Sequence, residues 1–132
     1  MKIIICLDNN KGMCFNGRRL SKDRVVTEKI LELAAGSRLW IAPFSKKLFD
    51  GQRVCMDEDF LCKAGDGDYC FVEDRGLETA SSHIDEVIVF WWNRDYPSDL
   101  KLDLDLSGFK RISKEDFSGY SHEKVTKEVY VR

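Results

Sequence analysis

A chain of 132 residues with a formal net charge of −2, 43% hydrophobic and 33% charged, holds one domain (1–132) and excludes two of ordinary size. The near-balanced charge argues against a dedicated nucleic-acid surface. No apolar run approaches the about 20 residues needed to cross a bilayer. The N-terminus carries one Lys and then a strand-length apolar run, without the longer apolar region and cleavage site of a signal peptide. None of the five cysteines, Cys6, Cys14, Cys55, Cys62 and Cys70, has the two-residue spacing of a zinc knuckle or redox pair. They read as reduced, mostly buried thiols of a cytoplasmic protein, with Cys14, in a loop, the one to examine for reactivity.

In chain order, Lys2 to Leu7 is a β-branched run that predicts a central strand. A loop from Asp8 to Arg24 follows, punctuated by Gly12 and the turn dipeptide Asn16-Gly17. Ser21 is the expected N-cap of a helix with Val26, Ile30 and Leu33 at helical spacing and Gly36 as its stop. Leu39 to Ala42 reads as a second buried strand, and Pro43 opens a short helix with Phe44 and Leu48 on one face. A brief strand at Val54 to Met56, a helix around Phe60 and Leu61 capped by Asp57, and a strand at Tyr69 to Val72 come next. Leu77, Ala80 and Ile84 suggest another helix, and Glu86 to Trp92 is the most strand-like segment of all. Leu100, Leu102, Leu104 and Leu106 alternate with polar residues, as in a half-exposed strand or an arm that contacts a partner, such as a second copy in a homodimer. Asp99, Asp103 and Asp105 would be its solvated face. Phe109 to Ile112 and Lys127 to Val131 supply the last strands. Strand–helix alternation followed by a strand-rich end implies an α/β fold, a mostly parallel sheet with an antiparallel C-terminal edge in a three-layer domain.

That order of elements resembles a shortened dihydrofolate reductase fold. The run Asn10-Lys-Gly-Met-Cys-Phe-Asn16-Gly17 is similar to the family's loop after the first strand. Ile41 to Ser45 stands where the family has a strand running into a Gly-Arg-x-Thr phosphate-binding helix start, which makes Ser45 a candidate ligand contact. Tyr69 to Glu73 resembles the cofactor-binding strand. The resemblance implies an NADPH-dependent reductase of a pterin-like or other small substrate, with Asp23 as the only carboxylate placed to be the substrate acid. Glu73 and Asp74 stand where the family's Gly-Gly pair approaches the cofactor pyrophosphate, and like charge disfavours NADPH there. The Leu-Pro-Trp signature ahead of the acid is absent. The Arg18-Arg19 loop and the ending from Ser121 to Tyr130 are also similar to small proteins of gut Firmicutes, some of them labelled ribonuclease Z. That enzyme holds two zinc ions in a His-x-His-x-Asp-His cluster, whereas this chain has only His83 and His122.

Arg18, Arg19, Lys22 and Arg24 put four cations into seven residues at a strand-to-helix connection. Guanidinium forks suit carboxylate or phosphate, so the expected partner is an anionic small molecule or nucleotide, with Asn16 beside it. Local ion pairs with Asp8, Asp23 or Glu28 are the competing reading. Trp91 to Pro97 places Asn93 and Arg94 after a strand, where they could orient a ligand, although a core aromatic pair and an ordinary turn explain the same residues. His122, in a polar loop, is with Asp23 the candidate for proton transfer. Ser121 and His122, being adjacent, do not make a triad by themselves. No residue spacing indicates a metal site. A binding protein, a reductase and a dimerisation module all remain open on these residues.

Overall fold

In the computed structural model, which describes Met1–Arg132, β1 (Lys2–Leu7) lies in the middle of a seven-stranded sheet. The order is β5 (Cys55–Met56), β4 (Leu39–Ile41), β6 (Tyr69–Val72), β1, β7 (Glu86–Trp91), β10 (Val125–Val131) and β9 (Lys110–Phe117). The first five run parallel, while β10 is antiparallel to β7 and β9 to β10. Ile3, Ile4 and Ile5 are fully buried in succession, because both faces of a parallel sheet are covered.

The two faces carry two cores. Ile4, Phe71, Ile88 and Phe90 meet Val26 and Ile30 of helix α1 (Arg24–Leu33) on one side. Ile3, Ile5, Val72 and Val89 meet Phe60 of the short helix α2 (Phe60–Lys63), together with Leu77 and Ile84 around the 3-10 helix Glu78–His83, on the other. Helix, sheet and a patchwork of short helices and loops make the three layers.

Several local expectations need correction. The connection after β1 is a β-hairpin, not an open loop. β2 (Gly12–Phe15) pairs with β3 (Arg18–Arg19) around Asn16 at φ 50° and Gly17 at φ 70°. An Asn-Gly pair with both φ positive is the two-residue turn whose twist matches that of flanking strands. The N-cap of α1 is Asp23 rather than Ser21: its backbone is extended and its carboxylate accepts the Val25 N–H at 2.9 Å. The segment after Pro43 is a 3-10 helix, Pro43–Phe49, that buries Ser45 and Phe49. Phe44 and Leu48 pack on different cores instead of sharing a face.

The leucine alternation is not an exposed arm. Only β8 (Leu100–Lys101) is a strand, paired with β2, and all four leucines pack onto the core beneath α2. The aspartates beside them accept backbone N–H groups, Asp103 that of Leu77 at 2.7 Å, Asp105 that of Ser107 at 2.9 Å and Asp99 that of Asn16 at 3.0 Å. The alternation records capping in one direction and burial in the other. Leu104→Ala should therefore lower the unfolding free energy by about 2 kcal/mol, read by urea titration. An unchanged stability with altered association would return these leucines to a partner surface.

Candidate functional site

Asp8, the first residue beyond β1, is fully buried. Its carboxylate accepts backbone N–H groups from Asn10 (2.9 Å), Gly12 (2.7 Å) and Tyr96 (3.0 Å). It thereby ties the hairpin to the segment leaving β7, and it is not a counter-ion for the arginines. A Cβ on Gly12 would lie 3.0 Å from this carboxylate and 2.5 Å from Ser98 Oγ, so the close approach demands glycine there.

Successive residues of β3 point to opposite sides. Arg19 turns inward and forms a bidentate pair with Glu73, Nε to Oε2 at 2.8 Å and Nη2 to Oε1 at 3.0 Å. Ser45 Oγ donates to the same Oε1 at 2.7 Å. These hydrogen bonds raise the Arg19 pKa. Arg18 turns outward and, like Lys22, makes no ion pair with the protein. Two adjoining clefts share the arginine pair. One of about 510 Å³ is lined by Phe15, Asn16 and Tyr96 among others, and one of about 610 Å³ by Ser21, Lys22 and Phe44. A wider depression of about 720 Å³ beside β4 and β5 lies at the amino ends of the parallel strands. Ligands of open α/β sheets bind at the carboxyl ends, where the arginine clefts are.

Asp23 and His122, separated by 99 residues, are in contact, with His122 Nδ1 2.8 Å from Asp23 Oδ2. Both are buried. His122 Nε2 lies 2.9 Å from Ser21 Oγ, and its ring stacks on Trp92 at 4.6 Å between centroids. Asp23 also accepts the backbone N–H groups of Tyr120 and Ser121, each at 2.9 Å. Burial pushes the Asp23 carboxyl pKa upward. The Tyr120 N–H, the His122 ring and the Ser121 and Val25 N–H groups outweigh it and hold the carboxyl well below the usual range.

The other candidates make contacts within the protein. Asn93, at φ 59°, donates through Nδ2 to Thr126 Oγ1 at 2.9 Å, and Arg94 reaches the Ser121 carbonyl at 3.4 Å. It is Tyr96 and Pro97 of this segment that line the cleft. Ser45 faces Glu73. Cys14, the loop cysteine to examine for reactivity, is buried, and burial raises its thiol pKa, which disfavours the thiolate. No three His, Cys, Asp or Glu side chains converge as metal ligands. Ser21, expected as a helix cap, lies against His122 instead. The Ser21-x-Asp23 spacing was visible, but only folding places His122 against both.

No protein-family model matches the sequence, and no curated protein matches it. Solved structures do. A dihydrofolate reductase from Enterococcus faecalis, complexed with NADP(H) and RAB-propyl, superposes with a TM-score of 0.70 over 99% of this chain and 95% of that one, at 12% sequence identity. No helix here is long and apolar enough to cross a membrane. The chain has a dihydrofolate reductase-like fold.

Proposed function

We propose that the protein binds a small anionic molecule, a carboxylate or a nucleotide phosphate, in the clefts beside the β2–β3 hairpin. Arg18 carries this reading. It is exposed, it has no counter-ion on the protein, and it lines both clefts at the carboxyl end of the central strands. Glu73 neutralises Arg19, whose role is to hold β3 in place, so the free positive charge comes from Arg18 and Lys22. A guanidinium fork meets carboxylate or phosphate with two parallel hydrogen bonds.

A thermal-shift series with mononucleotides, sugar phosphates, folates and pyridine nucleotides tests this, because a ligand that binds only the folded state raises the midpoint. At least one class should stabilise the wild type, and Arg18→Ala should weaken it about tenfold, or about 1.4 kcal/mol. Equal shifts in wild type and Arg18→Ala would reject the site.

A second reading, an NADPH-dependent reductase, is favoured by the fold, since the superposition with a reductase solved with NADP(H) takes in nearly the whole chain. The residues at the corresponding strand end do not fit a pyrophosphate. Glu73 is a buried carboxylate directly after β6, held by Arg19 and Ser45. Asp74 follows it, paired with Arg75. A phosphate would meet charge of its own sign there. Stabilisation by NADPH in the same thermal series would favour the reductase.

A further inference from the structure

Ser21 and Asp23, two residues apart, flank the ring of His122 from the far end of the chain. Ser21 Oγ is 2.9 Å from His122 Nε2, and His122 Nδ1 is 2.8 Å from Asp23 Oδ2. We propose that Ser21, His122 and Asp23 form a nucleophile–base–carboxylate relay, and that Ser21 attacks the carbonyl carbon of a small ester whose anionic group docks on Arg18 and Lys22.

The hydrogen-bond network assigns the tautomer. Both Asp23 oxygens accept backbone N–H groups, so the carboxylate can only accept, and Nδ1 of the neutral imidazole must carry the hydrogen toward it. Nε2 then presents its lone pair to the Ser21 hydroxyl, the geometry in which a histidine takes a serine proton. The ring is fixed from the side as well, because Trp92 stacks on it with an interplanar angle of 24°. Exposure is graded in the order the chemistry needs. The Asp23 side chain is fully buried, that of His122 is 2% exposed, and half-buried Ser21 opens onto the 610 Å³ cleft. The carboxylate lies innermost, the base behind the nucleophile, and the nucleophile at the substrate. Arg18 and Lys22 line that cleft with no protein counter-ion, so their field favours both a substrate anion and the negative charge that develops on the attacked carbonyl oxygen.

In the first step a bond forms between Ser21 Oγ and the ester carbon, and the hydroxyl proton passes to His122 Nε2. The carbon–oxygen bond to the alcohol breaks, and the alkoxide leaves with that proton. Water, the co-reactant, then attacks the acyl carbon and gives one proton to Nε2. The bond from that carbon to Ser21 Oγ breaks, Oγ takes the proton from Nε2, the carboxylic acid departs, and no redox change occurs. Asp23 does not exchange a proton in either step; it orients the ring and stabilises the imidazolium.

The relay rests on the anion reading for its docking group but not for its nucleophile and base, so two probes separate the two ideas. A neutral fluorophosphonate should label wild-type protein at Ser21, located by peptide mass spectrometry, at a rate that rises with pH as a base would require. Neutral p-nitrophenyl acetate should be hydrolysed by the wild type at least 100-fold faster than by Ser21→Ala, whose folding is checked by its thermal midpoint. Folded wild type that takes no label at Ser21, or that releases p-nitrophenolate no faster than Ser21→Ala, overturns the relay and leaves a structural latch. The wild type should also prefer the anionic mono-p-nitrophenyl succinate to the acetate, with the preference lost in Arg18→Ala. Labelling at Ser21 without that preference upholds the relay and sinks the anion site alone.

Discussion

Asp23→Ala should lower the unfolding free energy by about 4 kcal/mol, the loss of a helix cap together with the cost of leaving several buried donors unsatisfied. Urea titration at neutral pH checks it. The side chain caps α1 through the Val25 N–H, alone worth about 1 kcal/mol. It also accepts from Tyr120, Ser121 and His122, closing the loop before β10 onto the start of α1. Gly119 completes the closure, since a Cβ there would lie 2.6 Å from Asp23 Oδ2. Alanine at position 23 removes an acceptor for five donors at once, the Ser121 hydroxyl at 3.2 Å among them. Asp23→Asn should cost less, about 2 kcal/mol, because Oδ1 can keep its two backbone donors while an amide NH₂ meets the Ser121 N–H and the imidazole N–H head-on.

The same carboxyl sets an acid limit. Its folded pKa is depressed, so its stabilisation is fully present above the ordinary carboxylate value of about 3.9 and is lost as pH falls below it. Wild-type stability should drop as pH falls below about 4 by a margin that Asp23→Asn does not show. Parallel pH profiles for the two proteins would mean that other carboxyls govern acid unfolding.

The sheet was legible in the sequence because its strands are runs of apolar residues buried on both faces, as in Ile3-Ile4-Ile5 and Val87 to Phe90. The antiparallel C-terminal edge followed from the change of pattern beyond Pro97. Less legible was whatever depends on a partner distant in sequence. The Asn16-Gly17 turn was visible, but the hairpin also needs β8 alongside β2, 83 residues further on as measured by the Asn16–Asp99 hydrogen bond. The leucine alternation from Leu100 has the period of a strand without a neighbour to make it one. Its even positions are core and its aspartates caps, a pattern that period alone cannot separate from an amphipathic arm. At the site, the four cations were a fair signal, but which arginine is free is decided by Glu73, 54 residues from Arg19. Likewise Asp23 and His122 were each visible as titratable residues in polar surroundings, while their contact, and the place of Ser21 in it, is tertiary.

Arg19→Ala should cost about 3 kcal/mol, because it strands a carboxylate that is 7% exposed with Ser45 Oγ as its one remaining donor. Glu73→Gln in an otherwise wild-type chain should cost less, as the amide oxygen can still accept from Ser45 and Arg19. The double variant should be more stable than the sum of the two losses predicts, since a neutral side chain at position 73 no longer needs the guanidinium. Additive losses would show that Arg19 acts through its stacking on Phe44, at 5.5 Å, instead of through the ion pair. The pair also bears on what the strand end can bind. Glu73 supplies from within the chain the anion that Arg19 and the Ser45 hydroxyl would otherwise offer to a phosphate. Glu73→Gln removes that internal anion and leaves the cation in place. If the carboxylate is what disfavours a dinucleotide, NADPH should raise the thermal midpoint of Glu73→Gln more than that of the wild type. Equal responses would place the obstacle elsewhere, at Asp74 or in the backbone path that follows β6.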